Sequence, residues 1–96
     1  MAAYIASLDG AAPAPELNAP LRGLWWAAKG DWDQAHKIVQ DDEGRDAAWV
    51  HAYLHRVEGD LDNARYWYRR AERSLPVSTL SEEWTDIARS LLVWPI

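Results

Sequence analysis

Ninety-six residues carrying a formal net charge of −5 make one small domain, and that charge argues against generic nucleic-acid binding. The absence of cysteine excludes disulfide and thiolate chemistry and suits a reducing cytoplasm. No apolar run is long enough to span a membrane. Seven Trp and four Tyr stand beside no Phe and a single Met. Small helices have trouble burying that many indoles, which places some of them at a ligand or subunit surface, where Trp is enriched.

Residues 1–19 are dominated by Ala, Gly and Pro, and the Ala-Pro-Ala-Pro run favours an extended N-terminal tail, mobile or strap-like. Tyr4, Ile5 and Leu8 are its only sizeable apolar groups before Leu17, available to dock on the body. The segment has no basic stretch and no continuous apolar core, so it does not read as a secretory signal. Residues 20–96 form the helical domain.

Asn18 is a plausible N-cap, with Pro20 tolerated in the first turn. Leu21, Leu24, Trp25 and Ala28 then share one helical face, and Gly30 ends the helix. Asp31 caps the next helix, with Gln34 at the capping-box position, and Trp32, Ala35, Ile38 and Val39 line it. The acidic loop Asp41-Asp42-Glu43-Gly44 has too few alternating oxygen ligands for a calcium site.

A second hairpin follows. Asp46 is the expected N-cap, and Val50, Tyr53, Leu54 and Val57 keep the i, i+3, i+4, i+7 spacing of an amphipathic helix. Gly59 supplies the left-handed stop and Asp60 caps the next helix, whose stripe is Leu61, Ala64, Tyr68 and Ala71. Pro76 marks the end of that unit. Gly30-Asp31-Trp32-Asp33-Gln34-Ala35 and Gly59-Asp60-Leu61-Asp62-Asn63-Ala64 are the same pattern at an offset of 29 residues. A repeated helical pair is the signature of an α-solenoid, because one pair cannot bury both of its apolar faces.

Gly59-Asp60, Leu61, Ala64, Tyr68, Ala71 and Pro76 stand at the spacings of a tetratricopeptide-type (TPR-like) second helix, and the chain resembles that family over about sixty residues. The first hairpin keeps Gly23, Gly30, Trp32 and Ala35, with a unit shorter than the family's usual length of about 34 residues. The resemblance implies a scaffold or binding module and a groove lined by the first helix of each unit.

In the C-terminal part, Thr79 with Glu82 forms a capping box, and acidic residues in the first turn suit the helix dipole. Leu80, Trp84, Ile87 and Leu91 share a face, as in a capping helix over the last repeat. Leu92-Val93-Trp94-Pro95-Ile96 is an apolar end that either folds back or packs on a second copy.

Three constellations carry possible chemistry. His51 and His55 are four apart on a helix, a spacing that fits a polar pocket or a chelating pair. Ala52 stands where a zinc-protease motif has Glu, and no third ligand is evident, although His36 comes near if the hairpins stack. The expectation is therefore no metal and no cofactor, with both histidines open to a structural or a functional role. Arg56, Arg69 and Arg70 are the candidates for gripping an anion, against a solvated, ion-paired face as the alternative. Trp49, Tyr53 and Arg56 lie on the flank that faces the groove in the resembled family, and with Trp67, Arg69 and Arg70 they form the candidate binding surface. Nucleophilic catalysis has no support: the hydroxyls lie in caps and helices, with no nucleophile elbow and no Gly-rich phosphate loop.

The sequence thus reads as all-α, two stacked helical hairpins plus a C-terminal capping helix. Its leading function is protein or peptide interaction with self-association through a Trp-rich or C-terminal apolar surface. The alternative is a small-molecule-binding protein or enzyme using a His51/His55 pocket. No nucleic-acid or membrane partner is expected.

Overall fold

A computed structural model describes residues 1–92, and all its regular structure is helical. The helices are α1 (Ala2–Ala6), α2 (Ala19–Ala28), α3 (Trp32–Val39), α4 (Arg45–Val57), α5 (Leu61–Arg70) and α6 (Leu80–Leu91). A 3₁₀ turn, Ser7–Asp9, follows α1. Trp94 and its neighbours in the apolar C-terminal stretch lie outside the described residues.

The turns explain the hairpins. Asn18 and Asp31 accept from the backbone N–H groups of Leu21 and Gln34 and so start α2 and α3. Asp60 does the same for α5 through Asn63 N–H. Helix α2 ends at Gly30 (φ +80°), whose N–H donates to Ala27 C=O while Asp31 N–H donates to Trp26 C=O. Helix α4 ends identically at Gly59 (φ +85°), with bonds to Arg56 and His55 carbonyls. Each break therefore satisfies two otherwise free carbonyls and lets the next residue cap the following helix. Helix α5 ends in the same bonding pattern, but its left-handed residue is Glu72 (φ +59°), and the helix stops at Arg70, well before Pro76.

The start of α4 differs from expectation. Gly44 is its N-cap, and Asp46 sits inside the first turn, where its charge faces the helix dipole without a capping bond. The acidic loop accounts for this. Asp42 accepts from Gly44 N–H at 2.8 Å and turns the chain two residues early.

α2 packs on α3, α4 packs on α5, and α4 lies between the two hairpins. At Gly23 an added Cβ would meet a Val39 methyl at 2.6 Å, so the α2–α3 contact needs a residue without a side chain. α6 crosses α4 and α2 and so spans both hairpins, instead of capping the second alone. The core is Leu21, Leu24, Trp25, Val39, Val50, Leu54, Tyr68 and Ile87, with Ala35, Ala47, Ala52, Ala64 and Ala88 where helices approach closely. Burying a side chain of the larger kind is worth about 1.5–3 kcal/mol. Val57, Leu61 and Leu80, each at the end of its expected stripe, are exposed.

The N-terminal segment is docked in this structure. Tyr4 is buried, donates to Leu21 C=O at 2.5 Å and stacks on Trp84 at 5.9 Å. Burial pushes its phenol well above the usual range. Ser7 accepts from the Trp25 indole, and Lys29 donates to the carbonyls of Leu8 and Gly10.

Four of the six described indoles donate to acceptors inside the molecule. Trp25 reaches Ser7, Trp32 reaches Leu54 C=O, Trp49 reaches Glu83 and Trp84 reaches Leu24 C=O. The Trp surplus is thus largely absorbed by the fold, because an indole with a partner for its N–H is a good core residue.

Candidate functional site

The candidate residues separate into three places. The first is the face of α4 under α6. Trp49 and Tyr53 are only 6% and 7% exposed, and α6 lies over them. Its Glu83 carboxylate is 2% exposed and accepts from three donors. Arg56 donates to Oε1 at 2.8 Å, Trp49 donates to Oε2 at 3.3 Å, and the Tyr68 hydroxyl lies 2.8 and 2.6 Å from the two oxygens. Arg56 also donates to Ser78 C=O. Burial, and next the bond to Glu83, raise the Tyr68 phenol far above its ordinary value. Trp49, Tyr53 and Arg56 are thus occupied by the chain's own helix. On its other face Trp49 carries the Arg73 guanidinium at 3.4 Å, beside a cleft of about 580 Å³ lined by Glu72, Asp86 and Arg89.

Glu83 escaped the sequence reading because an acidic residue in a first turn is fully explained by the helix dipole. Its position was the available signal: it lies one turn before Ile87 and therefore on the same buried face.

The second place is the histidine cluster. α4 presents His51 and His55 on one face, and α3 brings His36 against them. One ring nitrogen from each lies within 4.8 Å of the other two. Trp67 stacks on His51 at 3.8 Å, and Trp32 stacks on His36 at 4.8 Å. Nδ1 of His55 meets Glu58 Oε1 at 2.5 Å. Nδ1 of His51 is buried with no hydrogen-bond partner among the described residues. Burial pushes the His51 imidazole down to about 4, helped by His36 and His55. His36 is lowered by burial and by His55, partly offset by Glu58 and Asp33. The third imidazole that the sequence left open is therefore present, supplied by the other hairpin. These three imidazoles are close enough together to offer one nitrogen each to a single ion.

The third place is the outer face of α5. Tyr66, Arg69 and Arg70 are exposed and Trp67 is half-buried. The Arg70 guanidinium lies over both the Tyr66 and Trp67 rings, at 5.9 and 5.2 Å, and donates to the Tyr66 hydroxyl at 3.0 Å. Among the described residues neither Arg69 nor Arg70 has an ion-pair partner, whereas Arg45, Arg56 and Arg65 each have one.

The six predicted surface residues therefore do not form one surface: Trp49, Tyr53 and Arg56 lie beneath α6, and Trp67, Arg69 and Arg70 lie on α5. His51 and His55 do come together. Among the described residues no helix is long and apolar enough to cross a membrane. No protein-family model, curated protein or solved structure matches the chain significantly.

Proposed function

We propose that the chain is a small protein-interaction module, TPR-like in its paired hairpins, that works in the cytoplasm and self-associates through the outer face of α5. The observation that carries this reading is the Tyr66–Arg70–Trp67 stack, held in place with no acidic partner among the described residues. Tyr, Trp and Arg dominate interface hot spots, and a guanidinium already ordered over two rings has less freedom to lose on binding. The fitting partner surface is acidic. A second copy supplies one in Asp41-Asp42-Glu43, in a chain where 15 acidic residues outnumber 10 basic ones.

Sedimentation velocity from micromolar to millimolar protein tests the reading. The expected result is a concentration-dependent dimer that weakens with salt. Arg69→Glu/Arg70→Glu leaves the helical signal intact and abolishes the dimer, and adding Asp41→Arg/Glu43→Arg restores it. A wild type that stays monomeric throughout overturns self-association.

A further inference from the structure

The interaction reading leaves the histidine cluster unused. A merely structural histidine donates one ring nitrogen and offers the other to a neighbour. His51 does not: it is 4% exposed, and its Nδ1 has no hydrogen-bond partner among the described residues. An unpartnered polar atom at that depth costs about 1–3 kcal/mol, so its retention calls for an occupant. We propose that His36, His51 and His55 bind one divalent transition-metal ion of the zinc class, with the fourth coordination position left open on the half-buried His36 side.

The geometry carries the assignment. Ring centroids lie 4.7 Å apart for His36–His51, 5.5 Å for His36–His55 and 4.9 Å for His51–His55. A tetrahedral ion at about 2.0–2.1 Å from each nitrogen places the centroids roughly 5 Å apart. His51 and His55 are one turn apart on α4, and His36 approaches edge-on from α3, at 90° and 74° to their rings. His51 and His55 lie near-parallel at 27°, so the His36 edge is what brings a third ring to the pair. Glu58 on His55 Nδ1 supplies the carboxylate–imidazole pairing that fixes ring orientation and raises ligand basicity at metal sites. Trp32 and Trp67 brace the other two rings.

All three donors are imidazole, which suits zinc, copper, nickel and cobalt and does not suit magnesium or calcium. A second group, His55, Glu58 and Asp60, is equally close-set. Its carboxylates already have work: Glu58 holds His55, and Asp60 caps α5. An ion at the three imidazoles would pin α3 to α4 and so lock the two hairpins together.

The test uses chelator-treated protein titrated with zinc chloride by calorimetry, and with cobalt chloride by visible absorption and Trp emission. The expected result is one equivalent bound, with a rise in thermal midpoint and quenching of the Trp32 and Trp67 emission by cobalt. His36→Phe keeps a ring against Trp32 and lowers affinity at least ~100-fold, while Glu58→Gln lowers it roughly 10- to 100-fold. Should His36→Phe lose its helical signal, Glu58→Gln carries the test alone. Absence of saturable zinc binding in the wild type overturns the site, as does unchanged affinity in a folded variant. Arg69→Glu/Arg70→Glu binds zinc like the wild type, so failure of the dimer and failure of the metal site are read separately.

Discussion

The molecule holds two buried polar clusters on opposite sides of α4, and they differ in completeness. Around Glu83 every strong group is answered: one carboxylate takes Arg56, Trp49 and Tyr68, and Arg56 has Ser78 C=O besides. Around His51 the inventory does not close, because one imidazole nitrogen has no partner among the described residues. A satisfied polar network rigidifies a fold, and a partly satisfied one is costly. The first cluster therefore reads as a latch that fastens α6 across both hairpins. The second, with its unpartnered nitrogen, is the cluster on which the proposed metal site rests.

The largest effect that separates the two clusters comes from deleting the latch. Glu83→Ala strands the buried Arg56 charge and the Trp49 and Tyr68 donors, and the expected loss is about 3–5 kcal/mol in urea unfolding. That is a large fraction of the roughly 5–15 kcal/mol a domain typically has in total. Because α6 also holds Trp84 against Leu24 and Tyr4, the variant should show red-shifted Trp emission as well. A loss under about 1 kcal/mol would mean that α6 is fastened by its apolar face alone.

Next comes pH, which acts on the incomplete cluster. The unfolded His51 imidazole takes its proton near pH 6.5, and the folded one only near pH 4. Between these values the unfolded state binds more protons, so stability rises with pH there and is lost on acidification. His36 adds in the same direction, with Glu58 and Asp33 opposing it. Metal-free protein is therefore expected to lose on the order of 3 kcal/mol between pH 7 and pH 4, with the loss levelling below. Urea midpoints across that range, compared with His51→Phe, check it, since the variant should show a much flatter profile. A profile unchanged by the substitution would place the acid sensitivity elsewhere.

A smaller and opposite effect belongs to His51→Phe at pH 7 without metal. It replaces the unpartnered nitrogen and keeps a ring on Trp67, so stability rises by about 1 kcal/mol. The same substitution removes the stabilisation by zinc. A buried histidine whose loss stabilises the empty protein is retained for function. A fall of 2 kcal/mol or more would instead show that the imidazole is a well-paired structural group.

Most of the fold was legible because its determinants are local. Gly30, Gly59, Asn18, Asp31, Asp60 and Thr79 each act on backbone within a few residues, and they place the breaks and starts of the helices where the chain has them. Gly44 and Glu72 were missed because one start depends on an Asp42 turn and one stop uses a non-glycine residue in a left-handed conformation. The site was legible in halves. Helical spacing pairs His51 with His55, but the third ring arrives from a different hairpin, and only packing decides that. Likewise no local rule says that Glu83 is swallowed by three donors from α4 and α5, or that α6 rather than a partner covers Trp49 and Tyr53.

The finest comparison sets two tryptophans against each other, one from each cluster. Trp49 donates to Glu83 at 3.3 Å, whereas Trp67 contributes to the histidine side by stacking, with its ring half-buried. Trp49→Phe removes one long donor from a carboxylate that keeps Arg56 and Tyr68, so the expected cost is about 1 kcal/mol. Trp67→Phe retains an aromatic face for both His51 and Arg70, and the expected change is within about 0.5 kcal/mol. The expected consequences for the proposed dimer run the other way: Trp67→Phe is expected to weaken it by thinning the platform under Arg70, and Trp49→Phe to leave it alone. Paired urea and sedimentation measurements on the two variants read both axes at once. If Trp49→Phe also dissolves the dimer, the α6 side takes part in assembly, and the division between a closed latch and an open face fails.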